Sequence, residues 1–468
     1  MIFNSLEYVA LLAIVFIAYW LVSRSYQNIL LLVASYVFYA FAHPMLVVLL
    51  VSYTLVHFFC GLGIKKFPGW SKCILIGAIS FSLITLGIFK YFDFFVGNIN
   101  HVLGFVGLSS LTPAIYIILP VGISFYTFQT LGYTIDVFRG QIEPRSNFIN
   151  FALFASFFPQ LVAGPIERAR DLLPQIEKKR LFNSGDIQDG LILMMWGFFK
   201  KMVIADNVAI IVNKIFLVDE PGFALIWIGV FAFAIQILAD FSGYTDIARG
   251  TAKILGIRLS ENFRHPYLTR SPAEFWRRWH ITLSFWFRDY VYIPLGGSRG
   301  GTLSKVLVLL VTFFLTGLWH GAGWNFILWG VYNGLLIQFQ RMLTSLFPKV
   351  SLPKTISGAI TFVLITVGWL FFRETDITYI VKYMTQSPAL MRYSDLREEI
   401  FILVQVLIFS APIWLHGLFD STNGVMFYRN RRETWHRYLL KTGVAALLFI
   451  LILAVGNDSS SEFLYFQF

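Results

Sequence analysis

Long runs without a charged side chain constrain the fold of this chain more than any other feature. No Asp, Glu, Lys or Arg occurs in residues 25–64, 94–135 or 306–340. Roughly 20 apolar residues span the hydrocarbon core of a bilayer, whereas a continuous helix over any of these runs would be roughly 50–60 Å long. We therefore expect each run to contain two spans, or one span and a re-entrant piece, because backbone in lipid must satisfy its own hydrogen bonds.

Helix-breaking residues indicate where the three runs divide. The predicted division points are His43–Pro44, Gly107–Pro113 and Gly317–Gly323. Hydrophobic residues make up 57% of the chain and charged residues only 13%, far from the soluble average of about 45–50% and 25%. The sequence therefore predicts an all-α polytopic membrane protein with about 10–12 transmembrane or re-entrant helices. Because it shows no repeat and no linker, we expect residues 1–468 to form a single membrane-embedded domain.

The basic residues are spread over short loops and predict the orientation of the chain. The loops that look cytoplasmic by the positive-inside rule contain Arg24, Lys65, Lys66, Lys72, Arg139, Arg145 and the segment 167–180. The first apolar run has no basic region before it and no cleavage site, so we interpret it as a retained span. We expect the amino terminus to lie outside, and the net charge of +11 to reflect topology rather than nucleic-acid binding.

Residues 253–299 form a polar segment in which eight Lys or Arg and three acidic residues are mixed with aromatic residues. Ser271, Pro272 and Glu274 form a helix-start pattern, which predicts a helix running from Pro272 to Phe287. One face of that helix would carry Trp276, Trp279, His280, Leu283 and Phe287, with Arg277 and Arg278 pointing elsewhere. From residue types alone this pattern favours an interfacial amphipathic helix; the alternative is a basic, aromatic wall for an anionic substrate or cofactor.

His320 is the one strongly ionisable side chain in the run 306–340. Intramembrane ionisable groups are rare and usually functional, and the glycines at 317, 321 and 323 predict a break that lines a cavity. An imidazole there can take a proton from a hydroxyl or thiol and return it. The alternative is a buried neutral histidine that donates one hydrogen bond to a carbonyl.

His280 lies in a different segment, and if it meets His320, one histidine can act as base while the other orients it or the substrate. Neither histidine belongs to a metal-binding motif, and the chain has only two cysteines, so no metal is expected. Other polar residues in apolar surroundings are Lys200, Lys201, Asp206, Asp240 and Asp246. Buried opposite charges usually pair, so a structural Lys–Asp contact is expected, although the sequence does not tell which residues pair.

Several long motifs resemble the membrane-bound O-acyltransferase family, in particular its alginate O-acetyltransferase branch. The two that carry the histidines are PAEFWRRWHITLSFWFRDYVYIPLGG (272–297) and TGLWHGAGWNFILWG (316–330). The others are LPVGISFYTFQTLGYTIDVFRG (119–140), FFPQLVAGPIERA (157–169), WGFFKKMVIADN (196–207), DFSGYTDIARG (240–250) and the terminal FLYFQF. The likeness covers most of the chain.

This resemblance implies a bacterial inner-membrane enzyme with a central funnel or tunnel, in which His320 is catalytic and His280 lies near the same cavity. It implies an acyl thioester donor such as acetyl-CoA, no tightly bound cofactor, and a periplasmic or membrane-anchored partner O-acetyltransferase. The acceptor class would be alginate, cellulose or peptidoglycan; D-alanylation of teichoic acid is less favoured, because residues 119–140 look unlike that branch. Candidate substrate-binding residues are Trp276, Arg277, Arg278, Trp279, Trp319, Asn325 and Asp240.

Two other functions remain open at this point. Broken spans and intramembrane polar residues are also typical of transporters, so the chain could carry an acyl donor or a polysaccharide precursor without chemistry. A non-catalytic scaffold of a cell-envelope complex, in which the histidines merely pack, is the second. Consumption of a thioester by the purified protein separates an enzyme from both.

Overall fold

The computed structural model describes residues 1–41, 44–109, 117, 119–350, 352–387, 396–423, 435–457 and 463–464, without the side chains of 421–423 and 435–438. Every regular element within these residues is a helix. His43, residues 110–113 of the second division point, and all of FLYFQF except Phe463 and Leu464 lie outside the described residues. The prediction of an all-α polytopic membrane protein is confirmed.

Met1–Ile187 together with Thr251–Ser260 form one compact unit. Its complete helices are α1 (Leu6–Leu21), α2 (Arg24–Ala40), α3 (Leu46–Lys66), α4 (Ser71–Phe89), α5 (Phe92–Phe105), α6 (Ile123–Phe138), α7 (Phe148–Ser156), α8 (Phe158–Leu161) and α9 (Ala169–Glu177). The buried His57 of α3 joins two neighbouring helices: its Nδ1 lies 2.8 Å from Thr134 Oγ1 and its Nε2 3.2 Å from Ser82 Oγ. This imidazole has hydrogen-bond partners on both sides, as buried polar groups normally do.

Gln188–Gly250 and Glu261–Phe468 form the second compact unit. Its helices are the end of α10 (Ser184–Phe198), α11 (Asp206–Phe216), most of α12 (Phe223–Ile254), α13 (Pro272–Phe275), α14 (Ile281–Phe287), α15 (Thr302–His320), α16 (Trp324–Leu346), α17 (Lys354–Arg373), α18 (Ile377–Thr385), α19 (Leu396–Asn423) and α20 (Trp435–Val455). A π-helical segment, Phe199–Ala205, connects α10 to α11. That residues 1–468 act as one membrane-embedded domain stays a prediction.

Each of the three long uncharged runs contains two helices among its described residues; that both members of each pair enter the membrane stays a prediction. The first run holds α2 and α3, the second α5 and α6, and the third α15 and α16. Six helices of the described residues are long and apolar enough to cross a membrane: Leu46–Lys66, Pro68–Phe89, Phe223–Ile254, Thr302–His320, Lys354–Arg373 and Leu396–Asp420. Leu6–Leu21 and Leu439–Val455 are shorter apolar helices. The total of 10–12 membrane helices and the central tunnel stay predictions.

Glycines let two helix pairs of the second unit pack backbone to backbone. A Cβ added to Gly250 of α12 would lie 2.5 Å from the carbonyl oxygen of Gly190 in α10. One added to Gly330 of α16 would lie 2.3 Å from the carbonyl oxygen of Phe313 in α15. A non-bonded carbon and oxygen approach each other to about 3.3 Å at the closest. Both distances are well below that limit, so a side chain at either position would push the helices apart.

The lysines of the π-helical segment are paired with aspartates, which confirms the predicted Lys–Asp contact and identifies the pairs. Lys200 Nζ lies 2.7 Å from Asp246 Oδ2. Lys201 Nζ lies 2.8 Å from Asp206 Oδ1 and 2.9 Å from Asp240 Oδ1. Lys201 and both of its partners are almost fully buried, so removing the lysine would leave two buried carboxylates without this cation.

Candidate active site

His280 occupies a turn rather than a helix. Ser271 caps α13 as predicted, since its Oγ accepts the N–H of Glu274 at 3.1 Å. The helix stops at Phe275, however, and α14 begins at Ile281, so the prediction of one helix from Pro272 to Phe287 is wrong. His280 lies between the two helices with φ 39° and ψ 57°, in the left-handed region. His265 has a similar backbone, and these are the two non-glycine residues with positive φ in the described chain.

Asn262 holds the turn at His280 through hydrogen bonds that are distant in sequence. Its carbonyl oxygen accepts the N–H of Ile281 at 3.0 Å. Its side-chain oxygen accepts the hydroxyl of Thr282 at 2.7 Å and the N–H of the same residue at 3.3 Å. A left-handed non-glycine residue costs about 1–3 kcal/mol and persists only where its surroundings determine it. These bonds to the fully buried Asn262 are such a determinant. They explain why the chain turns at His280 although the local sequence pattern predicts a continuous helix.

The imidazole of His280 is 0% exposed and lies in an aromatic enclosure. The rings of His280 and Phe241 are in edge-to-face contact, with their centroids 4.8 Å apart. The rings of Trp319 and Phe263 lie 5.9 and 6.4 Å away. His280 lies outside the candidate membrane-spanning helices, and burial lowers its pKa to about 3. Its side chain is therefore neutral at physiological pH and offers a hydrogen-bond donor and an acceptor but no charge.

The predicted helix break beside His320 is present. His320 is the last residue of α15, and α16 begins at Trp324. The break is confined to residues 321–323, where Gly321 and Gly323 have extended backbone with φ of −162° and −158°. A Cβ at Gly321 would lie 2.1 Å from the ring of Phe326, so only glycine fits there. Gly317 lies inside α15, where it serves close packing instead.

His320 is 3% exposed and surrounded by aromatic rings. The ring centroid of Trp329 lies 4.8 Å away, and that of Phe372 lies 5.4 Å away. Trp319, the preceding residue, has its centroid 4.9 Å from that of His320 and 5.9 Å from that of His280. The two histidines, from separate chain breaks, therefore both contact Trp319. The structure brings them together around one indole ring.

The predicted tryptophans and amide of the site are buried beside the histidines. Trp276 packs edge-on against Trp329 at 5.5 Å, and Trp279 packs against Trp369 at 4.8 Å. Asn325 Nδ2 donates to the carbonyl oxygen of Phe371 at 3.1 Å. Because the protein covers Trp276 and Trp279, these side chains are not interfacial anchors, which removes the basis of the interfacial-helix interpretation.

The charged candidates lie in other settings. Arg277 is exposed, and its Nε donates to the carbonyl oxygen of Ala273 at 3.3 Å. Arg278 is paired with Glu274 at 2.6 Å, which leaves less of its charge available to a ligand. Asp240 is held by Lys201 at 2.9 Å, as described above. Substrate binding by these three residues stays a prediction.

A charged cavity of about 580 Å³ lies one aromatic ring away from His280. Its lining includes Phe263, whose ring centroid lies 6.4 Å from that of His280, and the exposed Arg264. Its charged lining residues alternate in sign along one network, Lys200–Asp246–Arg249–Glu261–Arg264, with separations of 2.7, 2.9, 3.9 and 2.8 Å. The cavity thus has a charged lining, and the ring of Phe263 connects its wall to His280.

Sequence reasoning missed His265 and Asp420, which also line this cavity. His265 Nε2 lies 2.8 Å from Asp420 Oδ2, a contact between residues 155 positions apart in sequence. It missed Asn262 and Phe263 as well. No local pattern marks any of these four residues, because each owes its place to a long-range contact.

Comparison with known proteins gives one family match. The family model for MBOAT, the membrane-bound O-acyltransferase family, matches residues 31–381. The chain is 35% identical to the probable alginate O-acetylase AlgI of Pseudomonas putida, with 100% of both chains covered. It is 31% identical to the peptidoglycan O-acetyltransferase of Helicobacter pylori, with 100% of this chain and 98% of that protein covered. It is 26% identical to the teichoic acid D-alanyltransferase of Bacillus subtilis, over 57% of this chain and 68% of that protein.

Proposed function

The chain belongs to the membrane-bound O-acyltransferase family, and we propose that it moves an acetyl group from a cytoplasmic thioester across the membrane towards an extracytoplasmic polysaccharide. The observation that carries the proposal is the convergence of His280 and His320 on Trp319. His280 lies in the turn between α13 and α14, and His320 is the last residue of α15. Two polar imidazoles in an aromatic pocket are suited to proton transfer at an acyl group. Buried ionisable side chains are costly in a membrane protein, and where they occur they usually serve a function.

His320 acts as the general base in this proposal. It accepts the proton of the acceptor hydroxyl, and that oxygen forms the new bond to the carbonyl carbon of the thioester. The carbon–sulfur bond breaks, and the sulfur takes a proton and leaves as a thiol. General-base assistance contributes about 10²–10⁴-fold to such a rate. A transient acyl group on His320 is the variant of this scheme in which the imidazole nitrogen attacks first.

His280 orients the reacting groups. Its neutral ring is fixed by the Asn262 turn and by Phe241, so its nitrogens keep a constant direction relative to Trp319 and His320. Holding donor and acceptor in a productive arrangement contributes several kcal/mol to the barrier reduction. We assign Trp276, Trp279, Trp319 and Asn325 to the walls that keep water away from this arrangement.

The donor is acetyl-CoA or another acyl thioester, and it enters from the side of the charged cavity. Arg277 is the better phosphate ligand of the predicted pair, because Arg278 is already engaged by Glu274. Arg264, an exposed residue of the cavity lining, ranks below Arg277 for the same reason, because Glu261 accepts two hydrogen bonds from its guanidinium. The acyl group then travels through a tunnel within the single membrane-embedded domain towards His280 and His320.

On the outer side, a periplasmic or membrane-anchored O-acetyltransferase receives the group and passes it to the polysaccharide. The acceptor belongs to the alginate, cellulose or peptidoglycan type; the two relatives above that match the whole chain are named for alginate and for peptidoglycan. This scheme places the chain in a bacterial inner membrane with its amino terminus outside. The basic loops around Lys65 and Arg139 would then face the cytoplasm.

A transporter of an acylated precursor is the rival from a different class. The decisive experiment incubates the purified protein in liposomes with radiolabelled acetyl-CoA, partner protein and acceptor polysaccharide. The proposal expects release of free coenzyme A thiol in proportion to labelled acceptor. Movement of label into the vesicles with the thioester intact supports transport, and neither release nor movement refutes both functions.

A further inference from the structure

Two residues close to the end of the printed sequence are buried against α12 of the second unit, and the function proposed above gives them no role. We call Phe463 and Leu464 the strap. They are 1% and 8% exposed. The backbone N–H of Leu464 donates to Asp240 Oδ2 at 2.9 Å, and the ring of Phe463 stacks on Tyr244 with centroids 4.4 Å apart.

Asp240 is a rigid anchor for the strap. Its other carboxylate oxygen lies 2.9 Å from Lys201 Nζ, and that ammonium group is held a second time by Asp206 at 2.8 Å. A buried carboxylate is costly unless each of its oxygens has a partner. The Leu464 N–H supplies one of those partners, so the strap completes the charge network as well as filling space.

The strap is connected to His280 through one aromatic ring. Phe463 contacts Phe241, the residue after Asp240, with ring centroids 5.6 Å apart. Phe241 in turn meets His280 edge to face at 4.8 Å. Protein interiors are packed as densely as organic crystals, so the loss of one ring in such a row lets the next ring shift towards the gap.

The end of α20 is tied to the π-helical segment and to α11, which carry Lys201 and Asp206. The N–H of Asn457 donates to the carbonyl oxygen of Met202 at 3.1 Å, and Asn207 Nδ2 donates to the carbonyl oxygen of Val455 at 3.0 Å. The end of α20 is thus fastened to the π-helical segment that carries Lys201. The segment before the strap and the lysine that holds Asp240 are therefore connected by hydrogen bonds.

We propose that Phe463 and Leu464 are positioning residues for His280. They act through Asp240 and Phe241, which fix the orientation of the imidazole relative to Trp319. The effect on catalytic rate rests on the proposed acyltransfer, whereas the effect on the packing of His280 does not. A strap that only stabilised the fold would change the amount of folded protein and leave the rate per folded molecule unchanged.

The test separates the backbone hydrogen bond from the side chain. Leu464→Pro removes the N–H that Asp240 accepts, whereas Leu464→Ala keeps it and serves as the matched control. A displacement of about 1 Å at a catalytic group costs about 10²-fold in rate. We expect kcat to fall by that order in Leu464→Pro, with KM for acetyl-CoA unchanged, and to stay within about twofold of wild type in Leu464→Ala. Phe463→Ala should resemble the proline variant, and Phe463→Leu should recover part of the loss.

A second readout needs no turnover. Carbethoxylation by diethyl pyrocarbonate, followed by mass spectrometry, reports how accessible each histidine is. His57 is 0% exposed in the other compact unit and is the internal reference for global unfolding. The proposal expects His280 to react faster in Leu464→Pro than in Leu464→Ala while His57 stays protected.

Other outcomes overturn the proposal. Equal reactivity of His280 in the two Leu464 variants would mean that the strap does not hold the imidazole. Faster reaction of both histidines would mean that the strap stabilises the whole fold rather than the site. If wild type shows no acyltransfer at all, the proposed function fails, and the His280 reactivity still decides whether the strap positions that residue.

Discussion

Gly317→Ala tests how close α15 and α16 must lie for His320 to be in place. Gly317 is one turn before His320 on α15. A Cβ added there would lie 2.2 Å from the carbonyl oxygen of Phe326 and 3.2 Å from the Cα of Gly330. Phe326 and Gly330 belong to α16, so the clash is with backbone that no rotamer change can relieve.

The size of the effect follows from those distances. A carbon–oxygen contact needs about 3.3 Å, so the two helices must separate locally by about 1 Å. Overpacking of this kind costs about 1–3 kcal/mol, against which alanine recovers up to about 1 kcal/mol of helix propensity. The catalytic cost is larger, because a shift of about 1 Å at His320 lowers the rate by about 10²-fold. We therefore expect a modest loss of stability and a large loss of kcat.

Purified variants in detergent, compared by thermal unfolding and by acetyl transfer per folded molecule, check this expectation. Gly77→Ala is the control, because Gly77 lies in the middle of α4 and a Cβ there would meet nothing within 4 Å. It should be as active as wild type and no less stable. If Gly317→Ala matches Gly77→Ala in both measurements, the close approach of α15 and α16 is not what holds His320.

Three further perturbations test other parts of the site. Lys201→Met leaves Asp206 and Asp240 buried without their cation and should destabilise the protein by about 3–5 kcal/mol, measured by chemical unfolding; a loss below about 1 kcal/mol would mean that solvent reaches the pair. The pKa of His280 lies far below its usual value near 6.5, so this side chain stays neutral from pH 5 to 8. The pH–rate profile of His280→Asn should therefore keep the wild-type midpoint at a lower plateau. A shifted midpoint would show that His280 titrates in this range. Arg277→Ala should raise KM for acetyl-CoA several-fold with little change in kcat, and Arg277→Lys should restore most of the affinity; an unchanged KM would remove Arg277 from the donor site.

The division of the chain into helices could be predicted because it depends on local quantities. A charge-free run of 35 or more residues is too long for one crossing, and the glycines of GAG at 321–323 are poor helix residues, which favours the end of α15 there. The N-cap at Ser271 was predictable for the same reason, since capping involves residues three positions apart. The convergence of the histidines was expected only through the family resemblance.

The parts that sequence reasoning got wrong or missed depend on contacts across the fold. Local spacing favoured a helix through His280, but Asn262, eighteen residues upstream, supplies the bonds that hold a left-handed turn there. His265 lines the cavity because Asp420 reaches it from α19. The pairing of Lys201 with Asp240 is likewise a tertiary fact. Each of these contacts joins residues far apart in sequence, and no local pattern selects one partner over another.

The role of His320 is tested most directly by single-turnover acetyl transfer with His320→Asn, measured per folded molecule against His57→Asn. Both histidines are buried, and His57 lies in the other compact unit with hydroxyl partners on two helices. The account predicts that His320→Asn lowers the rate by about 10²–10⁴-fold, while His57→Asn loses stability but keeps its rate per folded molecule. Equal rates in the two variants would contradict a catalytic His320 and leave it as a packed core residue.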